Sequence, residues 1–120
     1  MAFKVKTSAD NIYEIPYLDG STVKAKPMDN TETTKLRKRH TTIKPSRSGP
    51  VEETNYDTML AEKFRICVVD WDFLDEQGNA WPCNDSNKND FYKYNTDDAL
   101  EILKSIDALK ASDLKVQEKN

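Results

Sequence analysis

Hydrophobic and polar positions keep two different rhythms along this chain. In the first 27 residues they alternate; beyond residue 54 they recur every three or four. Phe3 and Val5 alternate with Lys4 and Lys6, the period of two that marks a half-buried strand. A polar turn follows at Ser8–Asn11. Ile12–Leu18 and Ser21–Lys26 then flank Asp19-Gly20. An Asp-Gly pair between two strand-like runs predicts a hairpin, because the tight turn joining twisted strands needs positive φ at its centre. Pro16 has no N–H to give a ladder, which pushes its strand to an edge.

Residues 28–39 predict a weak helix: Asp29 can cap it and Glu32 stands three residues on, but only Leu36 gives it something to bury. From 40 to 53 the sequence HTTIKPSRSGPVEE, with two prolines and a glycine, reads as an exposed, mobile basic loop. The clearest helix starts at Thr54 or Asn55, with Asp57 completing a capping pattern. Tyr56, Leu60, Phe64, Cys67 and Trp71 follow at steps of 4, 4, 3 and 4 on one face, widened by Met59, Ile66 and Val69. Asp72–Asn79 is a turn in which Gly78 takes positive φ. Cys83–Ser86 supplies cap chemistry for a short helix through Phe91, Tyr92 and Tyr94. Thr96-Asp97-Asp98 opens the last helix, its acids at the positive end of the dipole; it carries Ala99, Leu103 and Ile106 on one side, beside Leu100 and Ile102, and reaches Lys110. Residues 54–110 make the helical core and 111–120 a frayed tail. The expectation is one α+β domain: an N-terminal β-hairpin or small antiparallel sheet over 1–27, then three to four helices.

Composition narrows the function. At 120 residues the chain has room for one core. With 37 % apolar and 32 % charged residues it is more polar than most globular chains, so loops or a partner must make up the shortfall. No stretch approaches the roughly 20 apolar residues of a membrane span, and the charged start is no signal peptide, which points to the cytoplasm and to no membrane partner. A reducing compartment argues against a bond between Cys67 and Cys83. Residues 1–50 hold ten Lys/Arg against five Asp/Glu, whereas residues 51–120 hold eight against sixteen. Such a charge dipole favours oriented association with a charged partner or head-to-tail self-association.

Catalytic and cofactor chemistry find little support. Asp70, Asp72, Asp75 and Glu76 suggest a calcium loop, but its fifth position would be Leu74 and its sixth, where glycine is required, Asp75. Two cysteines and one histidine without ligand spacing make no structural zinc site. His40 has no acid or nucleophile near it in sequence, and glycine-rich phosphate loops and nucleophile elbows are absent. The chain therefore reads as non-enzymatic, with no cofactor. A basic patch at Lys35, Arg37, Lys38, Arg39, Lys44 and Arg47 could contact phosphates. The acidic chain, with a pI near 5.2, and the lack of interleaved aromatics weigh against nucleic acid. Trp71, Phe73, Trp81, Phe91, Tyr92 and Tyr94 crowd one stretch; most should pack the core, and any left outside would suit a protein interface.

The run FRICVVDWDFLDEQGNAWPCNDSNKNDFYKY, with the Thr96 helix behind it, resembles the tail assembly chaperones of long-tailed bacteriophages. In that family a helix ends in a Trp-Asp-like pair, a turn of the form D-E-x-G-N-x-x-P follows, and then come a polar cap and an amphipathic helix. The leading hairpin and the KPMDNTETTKL segment are similar as well. The 40–53 loop and the asparagine-rich stretch from Asn84 to Asn89 depart from the pattern. The resemblance implies a non-enzymatic protein that binds the tape measure protein and tail tube subunits in the host cytoplasm, oligomerises, and is absent from the finished virion. Its apolar surface would be helix-in-groove, built from Trp71, Phe73, Trp81, Phe91 and Tyr92. A head–tail connector or tail-completion protein, and a nucleic-acid-binding accessory protein acting through residues 35–47, are the alternatives.

Overall fold

The computed structural model describes residues 12–17 and 20–118, with side chains through Leu109. The strand expected around Phe3 and Val5 lies outside the described residues.

The first hairpin forms around Gly20, between the two runs expected to pair. Strands β1 (Tyr13–Pro16) and β2 (Thr22–Ala25) pair antiparallel, Ile15 opposite Val23. Gly20 adopts φ +77°, open to glycine at little cost. The Tyr17 N–H closes the turn on the Ser21 carbonyl at 2.7 Å. Among the described residues Pro16 sits on an edge strand, which suits its missing N–H. Helix α1 (Asn30–Arg39) is capped by Asp29, whose carboxylate accepts the Glu32 N–H at 2.7 Å, and Leu36 is its buried residue.

Residues 40–53 are not an irregular loop. Strands β3 (Thr41–Lys44) and β4 (Val51–Thr54) pair antiparallel as a separate two-stranded sheet. The physical reason is that Pro45 and Pro50 fall just outside the paired residues, while the β-branched Thr41, Thr42, Ile43, Val51 and Thr54 fall inside them.

Helix α2 (Tyr56–Cys67) begins at Asn55, which accepts the Thr58 N–H at 3.2 Å; Thr54 belongs to β4. The helix ends four residues earlier than its apolar spacing suggested. Val68–Trp71 is strand β5, paired with β2, so the three-stranded sheet runs β1-β2-β5. The Lys26 N–H donates to the Cys67 carbonyl at 2.8 Å, and the Thr22 N–H to the Asp72 carboxylate at 2.6 Å, which holds the new strand at both ends. A register shift between Lys24 and Ala25 puts both Val68 and Trp71, three residues apart, on the buried side. That spacing imitates a helical face. Ile66 and Val69, assigned to the core face, are exposed, as is Tyr56.

Helix α3 (Asp85–Tyr94) starts at the cap Asn84, and α4 (Thr96–Glu118) runs beyond the end expected at Lys110. The core gathers Val23, Ala25, Leu36, Phe64, Cys67, Val68, Ala99, Ile102 and Ile106 between the three-stranded sheet and the helices. Lys88 is buried, but its ammonium reaches the Arg65 carbonyl at 3.1 Å, serving the negative end of α2. Cys67 and Cys83 are free thiols, and burial pushes Cys67 up to about 11. Among the described residues no helix is long and apolar enough to cross a membrane.

Candidate partner-binding groove

The aromatic stretch folds into one connected stack. Trp71 at the end of β5 lies 5.1 Å from Trp81, 5.2 Å from Phe73 and 5.7 Å from Phe91, centroid to centroid. Phe91 in turn lies 5.3 Å from Phe73 and 5.4 Å from Phe64. These separations fall in the attractive range for ring pairs. The indole N–H of Trp71 donates to the Trp81 carbonyl at 2.6 Å, so the buried ring keeps its polar edge satisfied.

The turn between the two tryptophans positions the stack. Asp75 accepts the Gln77 and Asn79 N–H groups, both at 2.9 Å, and the Gly78 N–H donates to the Asp75 carbonyl at 3.0 Å. Gly78 has φ +83°, as predicted from its place in the turn. The Trp81 N–H returns to the Phe73 carbonyl at 3.0 Å, which sets Phe73 and Trp81 side by side.

Over this stack lies a groove of about 740 Å³, a size that suits a side-chain-bearing ligand. Phe91, Phe73 and Trp81 form its apolar lining with Tyr17, and Leu74 and Tyr94 stand at its edge, 63 % and 72 % exposed. Among the described residues Asp75, Glu76, Asp90 and Asp98 are its charged lining, with no lysine or arginine among them. The Tyr17 hydroxyl donates to Asp98, and burial, followed by that hydrogen bond, pushes the phenol up to about 12.

Of the five residues expected at the surface, the structure brings Phe73, Trp81 and Phe91 into the groove. Trp71 is buried beneath, and Tyr92 turns to Phe64 at 6.3 Å instead. Tyr17, Leu74 and the four carboxylates were not expected there, and Tyr94, one of the six crowded aromatics, is the ring left outside. Asp90, Phe91 and Tyr94 share a helical face by spacing, a signal open to reading in the sequence; Tyr17 comes from 74 residues upstream of Phe91 and gave none.

Asp70, Asp72 and Asp75 each accept backbone N–H groups at different places, from Trp71, Thr22 and the turn, and do not converge. Among the described residues no three His, Cys, Asp or Glu side chains gather as a metal site. His40 does acquire neighbours that its sequence position concealed: Thr58 Oγ1 at 3.0 Å from Nδ1 and Glu62 Oε2 at 3.1 Å from Nε2. Glu62 also accepts from Arg39 Nε at 2.8 Å, a contact that, more than any other, holds its carboxyl below the usual range. Thr58 Oγ1 donates to the Asn55 carbonyl at 3.2 Å. With both ends tied to cap and ion pair, the cluster joins the base of the β3–β4 hairpin to α2, outside the groove.

The basic patch is divided. Arg39 pairs with Glu62 and Lys44 with Glu53 at 2.7 Å, whereas Lys35, Arg37, Lys38 and Arg47 are exposed without an ion pair among the described residues. Fold and groove together define a small α+β domain with a half-open aromatic surface edged by acids. Comparison with protein-family models, with curated proteins and with solved structures returned no match.

Proposed function

We propose that this chain is a non-enzymatic polypeptide-binding domain, a tail assembly chaperone of the long-tailed phage type. Its client would be an apolar stretch of the tape measure protein, and tail tube subunits would be recruited to the same complex. The observation that carries the reading is the groove. Two of its rings, Phe73 and Trp81, are only half-buried, and Leu74 and Tyr94 stand open at its rim, so apolar area remains to be covered. The client identity comes from the resemblance of the Phe64–Leu103 run, whose turn and aromatics are the elements that build this groove. A helical segment presenting an apolar stripe fits such a surface through a few anchors spaced three or four residues apart.

The test is co-expression with a tape measure fragment encoded by the neighbouring reading frame. Leu74→Ser with Tyr94→Ser removes rim contacts without touching the core. The wild-type chain is expected to keep the fragment soluble and the double variant to lose it to the pellet. A fragment held equally well by both chains, or by neither, refutes the reading. Mass spectrometry of purified particles should find the protein missing from the virion; its presence would favour a connector.

A further inference from the structure

Among the described residues little packs on the greasy side chains of the β3–β4 hairpin arm. Ile43 and Val51 are 68 % and 50 % exposed, and of the strand residues only Thr41 and Thr54 at its base are partly covered. A lone two-stranded sheet is marginal in water, so a second surface closing on this one would stabilise it. Its tip is already shaped. The Gly49 N–H donates to the Ser46 carbonyl at 3.1 Å, and the Ser46 hydroxyl donates to the Gly49 carbonyl at 2.6 Å. Arg47 occupies the outer corner of that turn, exposed and without an ion pair among the described residues. Lys35, Arg37 and Lys38 on the adjoining α1 are in the same condition.

The groove has the opposite character. Among the described residues four carboxylates and no cation line it, around rings whose faces attract a guanidinium more strongly once water is excluded. Both halves of a complementary contact are thus present on one chain.

We propose that the groove receives the β3–β4 tip of a second copy of this chain, with Arg47 seated on the aromatic lining among the carboxylates. Arm and groove are different surfaces, so the contact is head-to-tail and propagates as a ring or a short filament. The inference rests on the groove being a polypeptide-binding surface, as proposed above. It adds that a client and a neighbouring copy compete for the same place, so that the groove is covered until a client displaces the arm.

Sedimentation of the purified full chain at about 20 mM and about 300 mM salt tests this, since exposed ion pairs are screened over that range. Concentration-dependent oligomers are expected at low salt and monomers at high salt. Arg47→Glu and Asp90→Lys, both at exposed positions, should each weaken association by about tenfold or more, with circular dichroism unchanged. An equimolar mixture of the two variants should restore it, because the reversed arm then meets the reversed groove. A wild-type chain monomeric at low salt, association indifferent to both variants, or a mixture that stays monomeric overturns the inference. So does low-salt retention of DNA that Arg47→Glu abolishes while oligomers persist, which would assign the arm to phosphates. The client assay separates the two readings: if wild type and Arg47→Glu both hold the fragment yet neither self-associates, the arm-in-groove contact falls and the groove's client role stands.

Discussion

Phe91→Ala should unfold more of this protein than its position beside an open groove suggests. The ring is 7 % exposed and lies within 5.7 Å of Phe64, Phe73 and Trp71, and 6.4 Å from Trp81. Truncating a buried Phe to Ala costs about 3–5 kcal/mol through lost transfer energy and the cavity left behind. Here one side of the new cavity opens to the groove, so water can enter and the cost falls to the lower end, about 3 kcal/mol. A domain of this size has about 5–15 kcal/mol in total, and a urea slope of about 1–3 kcal/mol/M converts the loss into a midpoint lower by about 1–3 M. Urea titration followed by tryptophan emission is the assay, since Trp71 and Trp81 both belong to the stack. Tyr94→Ala, three residues on and 72 % exposed, is the control and should stay within about 0.5 kcal/mol. A Phe91→Ala cost below about 1 kcal/mol, or a Tyr94→Ala cost equal to it, would refute the division between a packed floor and an open rim.

Three further outcomes follow from single contacts. Trp71→Phe removes the donor to the Trp81 carbonyl and should cost about 1–2 kcal/mol, with faster amide exchange at Trp81; unchanged exchange would show that the turn is held without that bond. Glu62 has a folded-state pKa below its ordinary 4.5, chiefly through the Arg39 hydrogen bond. Its contribution is therefore fully present above about pH 4.5 and is lost as pH falls through the lower folded value. Urea midpoints measured from pH 7 to 3 should thus fall more steeply for wild type than for Glu62→Gln, and parallel curves would count against the clamp. Gly49→Ala meets no neighbouring atom but forces a side chain onto φ +111°. It should cost about 1 kcal/mol or more, visible as faster hydrogen exchange confined to β3 and β4; loss of protection across the whole chain would contradict an arm separate from the core.

Much of the local structure was legible in sequence because its causes are local. Gly20 turned the first hairpin, Asp29 and Asn84 capped their helices, and Gly78 turned the chain, each through backbone preferences of a few adjacent residues. The 40–53 segment looks like a loop in sequence because its prolines and glycine dominate the composition, while the pairing of Thr41 with Thr54 spans thirteen residues. The groove was half legible: aromatic density marked Phe73, Trp81 and Phe91 but gave no means of separating them from Trp71 and Tyr92, since which face of a ring is covered depends on what packs over it.

The sequence by itself determined an α+β domain, the order of most elements and the aromatic region at its centre, all consequences of periodicity and of short-range cap and turn chemistry. Only tertiary structure decided that Val68–Trp71 leaves the helix. The open edge of β2 offers those residues ladder partners, and a register shift there buries two side chains three apart, the interval a helix would also give. Packing of α4 against β1 likewise carries Tyr17 and Asp98, 81 residues apart, to one wall of the groove. No local preference encodes such a meeting, because it exists only once the sheet and the last helix have closed on a common core.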